Sequence, residues 1–307
     1  MLKFDEKSER AEEMSEEEFF AGEAQSTWQV IWKRFLHHKL ARIGMAIMIV
    51  LILAAIFAPF IAKFDPTELH LEDVPDGIAL GPNAKYWFGT DTLGRDYFSR
   101  ALYGGRISLL VGFVSVGISL LIGVPLGCLA GYYGGWVDSL ITRFTEFMMC
   151  LPIFFLILTI NNMLPPNIFN VVAIIGAFSW MGSAKVIRGQ VLYVKNMEYG
   201  RAAKALGLRD SAIIFKHILP NAMTPLIVSA AMGIANAIIM EAGLSYIGMG
   251  VQEPMPSWGS MLNASRSYML ESPHLAFIPG TLICLVTLSL NFIGDGLRDA
   301  IDPKNAE

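Results

Sequence analysis

Ile43 to Ala62 is a run of 20 residues without a charge. As an α-helix such a run is about 30 Å long, the thickness of the hydrocarbon core of a bilayer. Similar runs follow at Ile107–Ala130, Ile168–Ala184, Asn221–Gly248 (where Glu241 is the one acid) and Leu275–Gly294. Phe147–Ile160 is too short to cross alone, so that helix is expected to begin near Val137, with Asp138, Arg143 and Glu146 in its first turns. Arg143 and Glu146 are three apart and can pair on a helix surface. The expected fold class is an all-α membrane protein with six transmembrane helices. Composition agrees: of 307 residues 54% are hydrophobic and 16% are charged, against roughly 25% charged in a soluble domain.

The basic residues suggest an orientation. Lys33, Arg34, Lys39 and Arg42 precede the first run, and seven Lys/Arg against two acids lie in 185–216. Both clusters fall on one side of a six-span chain, which the positive-inside rule makes cytoplasmic, together with both termini. The segment 63–106 then lies outside, although it carries five Lys/Arg beside seven Asp/Glu. This divides the chain into a cytoplasmic arm (1–42), a first span (43–62), an extracytoplasmic loop (63–106), a five-helix core (107–297) containing loop 185–220, and a tail (298–307). The acidic stretch 1–27 reads as a solvated arm, and Trp28–Leu36 as an amphipathic segment on the membrane surface. With over 40 residues before the first run and no small-residue cleavage site after it, no secretory signal is expected.

Small residues recur at every fourth position of the second run: Ser115, Ser119, Gly123, Gly127 and Gly131. In lipid, helices associate where backbones approach closely, so this stripe marks a helix contact, within the chain or with another subunit. Asn236, Glu241 and Asn291 are polar residues inside spans and candidates for a translocation path. For Glu241 a second reading stands beside that one, a position near the outer end bonded to the 249–260 loop. Trp180 is expected as an interface anchor. Cys128, Cys150 and Cys284 all lie in apolar runs without CxxC spacing and read as small fillers rather than disulfides or metal ligands. His37, His38, His70, His217 and His274 are scattered, so no metal site is expected. No Gly-Lys dipeptide occurs, so the chain has no P-loop. Nothing suggests nucleic acid.

The most informative polar stretch runs from Glu198 to Pro220. Ala202, Ala203 and Leu206 fall on one face of a short helix, with Gly207 past its end as a cap. This segment resembles the cytoplasmic signature of ABC-importer permeases: Glu-Ala-Ala, three residues, Gly, nine residues, Ile-x-Leu-Pro. Ala202-Ala203, Gly207 and Leu219-Pro220 match at the same spacing, while Arg201 stands in place of the Glu and His217 in place of the Ile. Phe88-Gly-Thr-Asp-Thr-Leu-Gly-Arg-Asp96 and Leu244-Ser-Tyr-Ile-Gly-Met-Gly-Val251, followed by Ser257-Trp-Gly-Ser-Met261, are similar to the second permease of the dipeptide/oligopeptide/nickel group.

The resemblance implies a type I importer permease fold in a bacterial or archaeal plasma membrane, forming half of a heterodimeric pore. It implies that Glu198, Tyr199, Arg201, Ala202, Ala203, Lys204, Leu206, Gly207 and Leu208 form a coupling helix docking on a separate ATPase. No cofactor is expected in this chain, since ATP and Mg would be bound by one or two ATPase subunits. The other implied partners are a second homologous permease, an extracytoplasmic solute-binding protein and membrane lipid. The expected cargo is di- and oligopeptides, with nickel or oligosaccharides as alternatives. An ion-coupled secondary transporter would show inverted repeats and more buried ionisable groups; a membrane enzyme or receptor would show a clustered site.

Overall fold

The computed structural model describes residues 27–301. The acidic arm up to residue 26 and the tail 302–307 lie outside the described residues. All regular structure among the described residues is helical, apart from one isolated bridge between Thr90 and Asp96. Helices α1 (Thr27–His37) and α2 (Lys39–Ile56) meet at His38, whose Nδ1 accepts the Ala41 N–H at 3.1 Å. The short α3 (Ala58–Ile61) follows, then the irregular 62–96 segment, then α4 (Tyr97–Tyr133). The chain continues through α5 (Gly135–Cys150), α6 (Ile153–Met163), α7 (Ile168–Ala177) and α8 (Trp180–Lys195). Next come α9 (Glu198–Ala205), α10 (Asp210–Ala212) and a π-helical turn (Ile213–Ile218) that runs into α11 (Leu219–Tyr246). Helices α12 (Trp258–Ser265) and α13 (His274–Ile301) complete the chain.

Five units are long and apolar enough to cross a membrane: α2, α4, the α7–α8 pair, α11 and α13. The bent α5–α6 pair makes a sixth if it counts as one span. That bend corrects the expected straight third span. Its two arms meet at 82°. Pro152 has no N–H to continue the ladder and its ring keeps Leu151 extended, at ψ 142°. Asp138 does not lie idle in a first turn either. It accepts from the Arg188 guanidinium of α8 at 2.7 Å, and no Arg143–Glu146 pair forms among the described residues.

Helix ends also differ from the apolar runs. The first span closes at Ile56 instead of Ala62, because Pro59 begins a new short helix. The second starts at Tyr97, ten residues before its uncharged run, since Asp96 caps it by accepting the Ser99 N–H at 2.9 Å. The fourth runs on to Lys195 and breaks at Phe178–Ser179. The sixth extends to Ile301.

Helix α4, 37 residues and about 55 Å long, is the central strut. Its stripe of small residues faces α7 and α8 of the same chain. The Ser115 hydroxyl donates to the Val172 carbonyl at 3.0 Å. A Cβ on Gly123 would stand 2.7 Å from the Trp180 carbonyl, one on Gly127 2.6 Å from the Ala184 carbonyl, and one on Gly131 2.8 Å from Val191 Cβ. Trp180 is correspondingly buried and stacked on Phe144, not placed as a surface anchor. Phe35, Ala41 and Ala300 form a small cluster that ties α1 and α2 to the end of α13. Cys128 is buried, while Cys150 and Cys284 face outward; none is paired. Two ends of the bundle result. One carries 62–96 and the loop between α11 and α12; the other carries α9, α10 and the π-turn.

Candidate functional site

The segment 196–212 stands off one end of the bundle. Gly200 seats the start of α9 on the last turn of α8, since a Cβ there would lie 2.6 Å from the Val194 carbonyl. Beyond Gly200 the described side chains are open: Arg201, Ala202 and Lys204 are exposed, and Leu206 is 79% exposed. The side chains of Glu198, Tyr199 and Ala203 lie outside the described residues. Gly207 ends the helix at φ +71°, its N–H donating to the Lys204 carbonyl at 3.1 Å. That left-handed conformation is costly for residues with a Cβ. Leu208 is also exposed, so two leucines project from the turn that follows α9. The following π-turn buries Ile213, Ile214 and Ile218 against Tyr132, Val191 and Leu226, anchoring the segment to α4, α8 and α11.

A cavity of about 430 Å³ lies further along the bundle. Ser119 of α4, Met149 of α5, Ser183 of α8, Ser229 and Asn236 of α11, and the broken turn Phe178–Ser179 line it. Irregular backbone inside a membrane is tolerated where it faces protein or a wet cavity. No charged side chain lines this cavity among the described residues.

Of the three polar path candidates, Asn236 alone reaches this cavity. Asn291 is half-buried on α13, outside its lining. Glu241 is 0% exposed and closed in by three hydroxyls. Ser245 donates to it at 2.6 Å, Ser257 at 2.8 Å and Ser108 at 3.3 Å. Each serine oxygen in turn accepts a backbone N–H, from Val251, Ser260 and Trp258 respectively. Geometrically this is the second of its two readings: Glu241 binds the loop before α12 and joins α4, α11 and α12. Trp258 seals the same joint by lying on Gly104 and Gly105 and donating its indole N–H to the Ala101 carbonyl at 2.9 Å.

The opposite end from α9 holds an ionic cluster. Arg95 binds Asp91 at 2.6 Å and Glu253 at 2.7 Å; Arg100, 1% exposed, binds Glu253 at 2.9 Å and the Pro66 carbonyl at 3.1 Å. Burial alone would lower the Arg95 pKa, but the Asp91 and Glu253 carboxylates outweigh it and hold it above its usual value. His70, Glu72 and Asp73 bring potential ligand atoms within 4.8 Å of one another, yet the Asp73 carboxylate already accepts from Lys85 and Tyr86, each at 2.6 Å.

Comparison with known proteins decides what this arrangement is. Residues 123–307 match the model of the binding-protein-dependent transport system inner membrane component. Residues 26–82 match the N-terminal transmembrane domain of oligopeptide transport permease C. The chain belongs to the family of binding-protein-dependent inner membrane permeases. This permease is 42% identical to the dipeptide transport system permease protein DppC of Alkalihalophilus pseudofirmus, over 92% of this chain and 91% of that one. It is 38% identical to the oligopeptide transport system permease protein OppC of Bacillus subtilis (91% and 90%), and 40% identical to the glutathione transport system permease protein GsiD of Escherichia coli (92% and 92%). An inward-facing MetNI methionine ABC transporter structure shares the fold, with a TM-score of 0.53 at 17% identity over 66% of this chain and 97% of that one. The permease is thus a multi-pass membrane protein with a type I importer fold.

Sequence reasoning missed several groups in this permease. Arg95 and Arg100 were only counted among the bases of segment 63–106, because their partner Glu253 lies more than 150 residues away in the chain. Tyr132 and Asp210 gave no signal either. Only the fold puts the Tyr132 hydroxyl 2.6 Å from Asp210 Oδ1.

Proposed function

We propose that this permease forms half of the translocation pore of an ATP-driven importer of di- and oligopeptides. The observation that carries this reading is the protruding helix α9, followed by the Gly207 turn that presents the exposed Leu206 and Leu208, in a chain of this family. A short rigid helix with a small-residue face can seat in a groove of another protein and pass its motion to the spans behind it. The groove belongs to one or two ATPase subunits that bind ATP and Mg. A second homologous permease completes the pore, and a solute-binding protein delivers cargo at the opposite end.

The peptide assignment is supported by the dipeptide and oligopeptide permeases among the relatives. A cavity lined by serines, Asn236 and methionines suits cargo whose charge varies, because it imposes no fixed charge of its own. It offers no histidine, cysteine or carboxylate among its described lining, which disfavours nickel.

The coupling reading requires α9 and α10 to face the compartment that holds ATP. Single cysteines at Ser211 and Thr67, both exposed, are placed in a chain without its native cysteines. An impermeant thiol reagent added to intact cells with a permeabilised outer envelope is expected to label position 67 and to reach 211 only after lysis. Labelling at 211 but not at 67 overturns the orientation, and the coupling role with it.

A further inference from the structure

Among the described residues, one side-chain hydrogen bond joins the coupling segment to the long helix α4. Tyr132, 6% exposed in the last turn of α4, donates its hydroxyl to Asp210 Oδ1 at 2.6 Å. Asp210 opens α10, three residues beyond the Gly207 cap, and is itself exposed. Lys195, the last residue of α8, holds the other side of Tyr132: its Nζ donates to the Tyr132 carbonyl and lies 5.4 Å from the ring centroid. Behind the contact, a cavity of about 310 Å³ separates part of α9 from the bundle, lined by Tyr132, Lys195, Gly200, Arg201, Lys204 and Ile213 among others. Helix α9 is therefore not packed solidly onto α4. A displacement of the segment can reach α4 through the isoleucines of the π-turn, which are non-directional, or through the Tyr132–Asp210 bond, which has a fixed geometry.

We infer that Tyr132 and Asp210 are positioning residues for transport: their hydrogen bond transmits movement of the coupling segment to α4. Ser119, which lines the 430 Å³ cavity, lies 13 residues back along the same helix, about 20 Å. Helix α4 is unbroken over that length, with Pro125 removing one N–H from its ladder, and the turns on either side carry a tilt at Tyr132 on to the cavity wall. This inference rests on the coupling reading of α9 and adds the route by which α9 acts.

The test uses the full complex with its permease and ATPase partners in proteoliposomes, reading peptide uptake and ATP hydrolysis together. Tyr132→Phe removes one hydroxyl and keeps the ring against Lys195. It is expected to cut uptake per ATP hydrolysed by roughly tenfold, the scale of a hydrogen bond to a charged group, while the complex assembles and hydrolysis stays within about twofold. Asp210→Ala is expected to behave likewise, and Asp210→Asn, which keeps an acceptor oxygen, to restore coupling. Because the two residues act as one unit, the Tyr132→Phe/Asp210→Ala pair is expected to be no worse than either alone. A wild-type ratio of uptake to hydrolysis in Tyr132→Phe overturns the inference, as do losses that multiply in the pair, or an Asp210→Asn as uncoupled as Asp210→Ala. Should any variant fail to assemble, thiol cross-linking of cysteines at Ser119 and Ser183, which line the cavity from α4 and α8, in the remaining variants reads the same movement: its ATP dependence is expected to vanish with the bond and to persist if the inference is wrong. A wild-type complex in which α9 does not touch the ATPase removes the coupling reading itself and is seen before any variant is made.

Discussion

Gly127→Leu is expected to strip the permease from the membrane, whereas Gly117→Leu, ten residues away on the same helix, is expected to leave it unchanged. A Cβ on Gly127 would lie 2.6 Å from the Ala184 carbonyl and 2.9 Å from Ile187 Cβ, against backbone that cannot rotate away. A Cβ on Gly117 meets nothing within 4 Å. Overpacking costs about 1–3 kcal/mol where side chains can shift, and more where they cannot. Total stability of a folded protein is about 5–15 kcal/mol, so the leucine at 127 removes a large part of it. Adding Gly123→Leu, against the Trp180 carbonyl at 2.7 Å, should complete the loss. Detergent-solubilised yield and thermal denaturation of the two single variants check this. Equal yields would mean that α4 and α8 do not approach as closely as described.

Gly207→Val is expected to abolish uptake while the protein inserts and accumulates normally. The open space around Gly207 removes steric clash as a cause, since no atom lies within 4 Å of an added Cβ. What remains is the backbone: φ is +71°, a conformation costing an L-residue about 1–2 kcal/mol and more when it is β-branched. That penalty alone shifts the capped helix end by roughly 5–30-fold in population. Gly207→Asn, which tolerates the left-handed region, is expected to keep uptake within about threefold of wild type. Peptide uptake in cells with matched protein levels is the measurement. Wild-type uptake in the valine variant would mean that the end of α9 is not part of the coupling machinery.

The bilayer spans were readable because a 20-residue run without charge has few other uses. The helix ends were less so. Arg100 looked like a loop residue, but Glu253 and the Pro66 carbonyl satisfy it in the interior, so α4 begins at Tyr97. The break at Leu151–Pro152 had its signal in the proline. The break at Phe178–Ser179 had none as clear; it borders the cavity, whose position is a property of packing. The stripe from Ser115 to Gly131 was visible as a contact surface, but whether another subunit or this chain filled it depended on where α7 and α8 lie. The short helix with a small-residue face and a glycine cap was legible from spacing, through Ala202, Ala203 and Gly207, and its coupling role came only from the family resemblance. Its attachment was not, because Tyr132 and Asp210 are 78 residues apart. Glu241 shows the same limit. The acid was visible in its span, but its three serine donors, at 108, 245 and 257, were not.

The most direct test of the central claim is a site-specific cross-linker at Lys204, an exposed residue of α9, in the complex assembled with a second permease and its ATPase subunits. The account predicts capture of an ATPase subunit from Lys204, no such capture from the exposed Glu72 at the other end, and peptide uptake that needs ATP and every subunit. Absence of any ATPase adduct at Lys204, with the isolated chain accumulating solute on an ion gradient, would contradict it.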